Sequence, residues 1–413
     1  KAVTFQRDSN GRIRAITTPN GDRLAYRYDA DNNLISSADA QGNATEYTYN
    51  RNHGLLDIID PLGRTLVRNI YDETGRLIAQ EDNDGNRTDF NHDIEGRQSA
   101  VTDRNGNTTL YYYDERGNVT TKVDAAGQSW NYSYDERGNQ LGQVDPLGNV
   151  TSASFDERNN QLTQTDALGN TVAFTYNSRG QELTISDARG NVYQNSYDSV
   201  GNLLTVTDPN GNVAGNNINA QGLVSMTVDV AGNATTYTYD KDGNKLSETN
   251  PLGEITRYTY DANGNVLTET RSRTVNGSVV EKTTGYVYDA NNRVVETHYP
   301  DGSTTATEYD VAGNQVARVD ALGRRTEYRY DAYGRLTETY HADGTAESRT
   351  YDGEGNLLTE TDPLGRTTRY TYDGLNRVVR TDYPDGSHTA TSYDAAGRVT
   401  GETDANGNTT IYE

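Results

Sequence analysis

The side chains able to do acid–base or metal chemistry are scattered along the chain. There are five histidines, His53, His92, His298, His341 and His388, and no cysteine. Imidazole is the ordinary proton carrier and metal ligand near neutral pH, but a zinc or acid–base centre needs several such groups to converge. These five share no spacing, and without cysteine there is no thiol chemistry, disulfide or Cys-ligated zinc. Carboxylates present the opposite case, with 60 Asp and Glu against 37 Lys and Arg. A glycosidase needs two chosen carboxylates across a cleft, and an abundance of them singles out no pair. Asp82-Asn83-Asp84-Gly85-Asn86 opens like a calcium loop, yet an EF-hand wants Gly sixth and Glu twelfth, where Arg87 and Asp93 stand. The expectation is a protein without catalytic residue, metal or cofactor.

Composition narrows the partners further. The net charge of −23 argues against nucleic acid, whose phosphates call for clustered Lys and Arg. No apolar run approaches the roughly 20 residues that cross a bilayer, so insertion of this segment into a membrane is not expected. The chain opens at Lys1 with no signal-like segment and reads as a fragment of a longer protein. Aliphatic residues are scarce, as in disordered acidic chains, but 31 Tyr and 40 Gly point elsewhere.

Their order explains them. Tyr-Asp pairs recur at 71, 113, 134, 197, 239, 260, 288, 309, 330, 351, 372 and 393, and substituted copies extend the 21-residue period over residues 1–413 as a single array of about 19 copies. With the Tyr numbered 0, position +4 is Gly or Asn in every copy except the one with His53, and +14 is Gly in all but one. That restriction is a demand for positive φ. All eight prolines fall at +12. Asp145-Pro146-Leu147-Gly148 and Asp362-Pro363-Leu364-Gly365 therefore read as type I turns closed by a Gly bulge, and Asp114-Glu115-Arg116-Gly117 repeats the grammar at the other end of its copy.

Between the turns lie two strands of about 20 Å each. One is Thr-x-Tyr-x-Tyr, which puts Tyr237 and Tyr239, Tyr258 and Tyr260, Tyr328 and Tyr330, and Tyr370 and Tyr372 on one face. Tyrosines so aligned are expected to pack on one another, with sugar stacking as the functional alternative. The other strand has apolar residues at +6 and +7, such as Leu203-Leu204 and Leu357-Leu358. Its two partly apolar faces predict a sheet covered, or curved around something, on both sides. The fold expected is all-β: chained hairpins in one antiparallel sheet, with a β-solenoid as the alternative. Rolled into one ring, about 38 strands would enclose a radius of about 29 Å.

The string Tyr-Asp-x-x-Gly-Asn/Arg-x-Leu-x-x-x-x-Asp-Pro-Leu-Gly-Asn/Arg-x-Thr-x-Tyr-x-Tyr-Asp resembles the Rhs or YD-repeat family, which includes bacterial Rhs polymorphic toxins, subunits of insecticidal toxin complexes, wall-associated YD proteins and teneurins. The resemblance covers essentially the whole chain. It implies a β-sheet spiralling into a hollow shell which, in the toxin members, encloses a C-terminal effector of the same polypeptide, with capping domains at its ends. The protease-like core that closes bacterial members has no counterpart: Asp362-Pro363 sits at ordinary repeat phase and is assigned no such role. The resemblance thus implies a non-enzymatic shell segment of a secreted toxin. The alternative is a cell-surface adhesion or carbohydrate-binding module, with cell-surface glycans as partners.

One copy departs from the period. Residues 261–288 form an elongated repeat whose additional hairpin is signalled by Asn276-Gly277, with Arg271, Arg273 and Lys282 beside it as a possible contact for a neighbouring domain. Finally, Asp at the turn positions accounts for much of the acidity. The negative charge should line the turn-bearing rims and keep sheet edges apart.

Overall fold

In the computed structural model, which describes residues 2–412, the chain is an array of 39 strands from Thr4–Arg7 to Thr409–Ile411, with no helix among the described residues. Each strand pairs antiparallel with its neighbours in sequence. Chained hairpins, not the parallel coils of a solenoid, therefore build the sheet. The first and last strands each pair on one side only, so the sheet is open.

The two kinds of hairpin differ. Across the Tyr-Asp turn, Tyr260 faces Val266 while Thr259 faces Thr268, which leaves Leu267 unpaired as a bulge. Across the Asp-Pro turn the ladder is only three pairs long, as in Thr163 with Ala173, Gln164 with Val172 and Thr165 with Thr171. The bulge explains where one expectation fails. The +6 side chain lies against the Tyr face, but the +7 residues Leu246, Leu267 and Leu358 are exposed. No second layer covers either face, and Ala15, Ala79 and Ala317 are the only fully buried apolar side chains among the described residues. Backbone ladders and turns, rather than an apolar core, hold this sheet.

The turns define two rims, a Tyr-Asp rim and an Asp-Pro rim, and the sheet curls until one meets the other. Asn20 donates through its side chain to Asp261 (2.7 Å), and Asn263 donates to Asp22 (3.0 Å). Farther along, Asn291 donates to Asp39 (2.6 Å), Asn105 to Asp352 (2.9 Å), and the Arg104 N–H to Glu354 (2.6 Å). The strands from Arg23–Tyr28 through Ile255–Tyr260, 23 in number, thus complete one turn of a spiral. Such a turn has a circumference of about 110 Å and a radius of about 18 Å. The single wide ring expected from rolling up the whole array is not formed, because the curvature stacks the second turn on the first. Nor do the acidic rims stay apart: their carboxylates are the acceptors of the seam.

Candidate functional site

Most turns are organised by one Asp. Asp145 Oδ1 accepts the N–H groups of Leu147 (2.9 Å) and Asn149 (2.8 Å), and its Oδ2 accepts the Asn149 side chain (2.7 Å). The Gly148 N–H closes the turn on the Asp145 carbonyl (3.0 Å) with φ +84°, and Pro146 holds the position after the Asp. Asp362, Pro363 and Gly365 repeat this with the Arg366 guanidinium as the Oδ2 partner (2.7 Å), and Asp114 and Gly117 repeat it with Asn118. Where Asn or Arg follows the glycine, as in most copies, its side chain is thus part of the turn. The repeat string shows this preference without disclosing its role. Backbone and side-chain donors hold these carboxylates below the usual range; Asp135, bonded first of all by the Asn139 side chain, falls to about 2.

The position-zero tyrosines have a task that the pattern did not disclose. Because the Asp-Pro ladder is short, the +6 carbonyl faces a gap, and the hydroxyl of the next copy's Tyr fills it. Tyr239 donates to Val224 (2.7 Å), Tyr260 to Lys245 (2.7 Å), Tyr330 to Gln315 (2.8 Å) and Tyr372 to Leu357 (2.9 Å). The bond forms in 14 copies among the described residues. Where His92 replaces Tyr, its Nε2 reaches the Leu77 carbonyl (3.2 Å); where Ile218 does, the Asn216 side chain donates to Leu203 (3.2 Å). Tyr113 lacks the bond because the preceding turn is displaced, with Arg97 rather than Gly96 at positive φ.

The expected packing of Tyr on Tyr is not what the rings do. Among the described residues no two tyrosine rings stack; cations cover them instead. Arg12 lies over Tyr28 (4.7 Å), Arg293 over Tyr309 (4.3 Å) and Arg377 over Tyr393 (4.3 Å), while Lys245 lies near both Tyr237 (5.6 Å) and Tyr258 (5.1 Å). Tyr328 and Tyr370, two residues before their position-zero partners, are half-buried on the same face.

Phe155 is the copy in which an aromatic ring is present without a hydroxyl. Phe155→Tyr supplies the bond to the Gln140 carbonyl, and the expected gain is about 1 kcal/mol. An unchanged or lowered urea midpoint would show that the gap there is already filled.

The remaining candidates stay apart. His53 bonds Asn33 (2.7 Å) and His341 bonds Glu347 (3.3 Å), while His298 lies 3.7 Å from Glu296 and His388 stands opposite Asp382 in its ladder. No three His, Asp or Glu side chains converge as a metal site among the described residues. Asp82 in the calcium-like stretch spends its carboxylate on Asp84 N–H (3.0 Å), Asn86 N–H (2.8 Å) and the Asn86 side chain (3.0 Å), and the Tyr333 hydroxyl bonds it from the opposite rim.

The long hairpin joins Val266–Val275 to Ser278–Tyr288 through Asn276 (φ 51°) and Gly277 (φ 80°), the left-handed pair of a type I′ turn. Arg271 stands opposite Lys282, and Arg273 opposite Val280, on one face. With Glu248 of the neighbouring strand and Asn250 and Glu254 at its turn they line a cleft of about 350 Å³. Arg271 is paired with Glu269. On the other face Arg257 meets Glu281 at 3.2 Å.

Comparison with solved structures gives the same architecture. The crystal structure of TcdB2–TccC3 without its hypervariable C-terminal region matches 99% of this chain with a TM-score of 0.60 at 14% identity. The Photorhabdus luminescens Tc holotoxin pore matches 98% with a TM-score of 0.57 at 15% identity. The chain spans 26% and 29% of those structures' lengths, so the likeness is one of fold. Curated protein sequences give no match. The Rhs repeat model matches ten segments, among them 7–43, 71–108, 155–192, 241–279, 309–346 and 393–413. With most of its length in these matches, the chain belongs to the Rhs repeat family.

Proposed function

We propose that this chain is a non-enzymatic wall segment of a secreted Rhs-type toxin, and that the wall encloses an effector carried on the same polypeptide. The observation that carries this reading is the curl of the sheet into a spiral of 23 strands per turn, sealed rim to rim by side-chain bonds. Side chains fill about 5 Å on the inner face, half the spacing of packed sheets, which leaves a lumen of about 12–13 Å radius. A folded domain of about 100 residues has a radius of gyration of about 13 Å, so its outer radius exceeds the lumen. At this girth the cargo is a smaller domain or a chain that is not compactly folded. Tc toxin components supply the fold analogy, and every other element of this reading rests on the Rhs resemblance.

The glycan-binding alternative gains no platform from the tyrosines, whose position-zero hydroxyls are engaged with backbone carbonyls. A density map of the full-length protein tests the proposal. Ordered or diffuse density inside the spiral is expected; an empty lumen, or a sheet that opens flat, would refute encapsulation.

A further inference from the structure

In an array of near-identical copies, the period alone does not decide which Tyr-Asp turn meets which Asp-Pro turn. Two variable positions differ along the chain. At +3, residues of the second spiral turn aim across the seam: Asn263 donates to Asp22 (3.0 Å), Asn291 donates to Asp39 (2.6 Å), and the Glu354 carboxylate accepts the Arg104 N–H (2.6 Å). In the first spiral turn the same phase reaches sideways, to the next turn of its own rim. Arg116 donates to the Asp135 carbonyl (3.3 Å), Arg158 to that of Ser178 (2.6 Å) and Gln221 to that of Asp240 (3.0 Å).

The +2 residue is Ala or Gly in six of the seven copies from Tyr260 to Tyr393, and Val311 in the other. The facing rim explains the small size. A Cβ on Gly353 would stand 3.2 Å from Arg104 Cβ and 3.1 Å from Asn86 Oδ1, and one on Gly374 would stand 3.0 Å from Asn107 Oδ1. The two rims are therefore in contact at this phase, where a missing side chain permits the approach. At turn 310–313, with Val311 at +2 and Ala312 at +3, no side-chain bond crosses the seam among the described residues, and the seam widens into a cavity of about 500 Å³ lined by Leu24, Pro61, Asn291 and Val311. Arg51, Glu73, Glu115, Glu136 and Glu157 hold the +2 phase in turns that bond no facing rim within this chain. A large +2 side chain is thus compatible with the turn itself.

We propose that the +2 residue of a Tyr-Asp turn admits or bars an Asp-Pro rim and that the +3 residue selects its partner. The copies from Tyr260 to Tyr393 are then a docking strip keyed to the chain's own Asp-Pro turns from 18–22 to 103–107. A seam between repeats could slip by a whole copy with every backbone phase preserved, as a strand ladder slips in a featureless sheet. These variable residues set the register in which the curled sheet closes, because a slipped seam would put the cross-rim donors at +3 opposite the wrong turns.

The proposal does not depend on whether a cargo is enclosed. Neither Gly353 nor Gly374 has positive φ, and Glu115 and Glu136 occupy their phase in turns closed by the same backbone bond, so Gly353→Glu/Gly374→Glu burdens the contact and spares the turn. In the purified chain this variant should keep the wild-type circular dichroism, and its Arg104 amide should exchange about tenfold faster as the bond to Glu354 is lost. The radius of gyration from X-ray scattering should rise as the second spiral turn lifts from the first. The opposite change, Glu115→Gly/Glu136→Gly, should move neither quantity. Arg104 exchange that stays at the wild-type rate in the first variant, or that accelerates equally in the second, would overturn the proposal. So would loss of the β-sheet signal in the first variant, which would assign the two glycines to the turn and not to the seam.

Discussion

Between about pH 4 and pH 2 the folded chain is expected to lose much of its resistance to urea, as carboxylates in nearly every turn become protonated together. The sign follows from the direction of the shifts. Asp29, Asp114, Asp145, Asp156 and Asp187 are all held below their ordinary value, first of all by the Asn side chain four residues on, and Asp135 lies at about 2. A group whose folded pKa is depressed contributes stability fully above its unfolded pKa, about 3.9 for Asp, and loses it as the pH falls through the folded value. No one turn decides the outcome, because the same carboxylate recurs at both ends of most copies. The seam adds Asp39, Asp261 and Asp352, which accept Asn side chains from the facing rim. The chain contains its own control. Asn177 accepts the Arg179 and Gln181 N–H groups at 2.9 and 3.1 Å, and Asn250 accepts those of Leu252 and Glu254 at 3.0 and 2.9 Å, so an amide keeps the turn without titrating. Asp→Asn changes at Asp114, Asp135 and Asp156 should leave the urea midpoint at pH 7 nearly unchanged and raise it at pH 2 relative to wild type. A wild-type midpoint that stays flat from pH 5 to pH 2 would show that the turn carboxylates carry no net stability.

Local structure was legible in the sequence because it repeats, and closure was not. Gly or Asn at +4 and Gly at +14 announced positive φ, and the structure has it at both phases, with the Gly96 turn displaced by one residue and His53 accepting φ 63°. The Asn276-Gly277 hairpin likewise rested on a local backbone demand. What escaped was anything set by the neighbouring copy. The Tyr-to-carbonyl bond reaches from one copy into the one before it, and it depends on a bulge at +7 that the paired apolar residues at +6 and +7 concealed. The number of strands per turn is farther still from the sequence. It arises from curvature summed over 23 strands, and the residues that record it, Asn20 with Asp261 or Asn105 with Asp352, are ordinary turn residues with nothing to mark them. The repeat period specifies the wall but carries no sign of its girth.

The same separation between a tyrosine's pattern and its task gives the other large effect. Replacing Tyr330, Tyr351, Tyr372 and Tyr393 together by Phe removes four hydroxyls that meet backbone carbonyls at 2.8, 2.8, 2.9 and 3.0 Å. Each loss is worth about 1 kcal/mol, and because each hydroxyl bonds only the adjacent copy the losses add, to about 4 kcal/mol over this segment. The rings remain, so the cations above them, Arg335 over Tyr351 and Arg377 over Tyr393, keep their contacts. The destabilisation should therefore be local: amide hydrogen exchange accelerates through residues 315–403 while the first spiral turn, with its own tyrosines intact, keeps its protection. Tyr328→Phe with Tyr370→Phe is the matched comparison, since these two rings share the face but donate to no +6 carbonyl. That pair should cost well under half as much per residue. Equal losses from the two sets would mean that ring burial, not the hydroxyl, is what the repeat selects at position zero, and the carbonyl gap beside the bulge would then be filled by water at little cost.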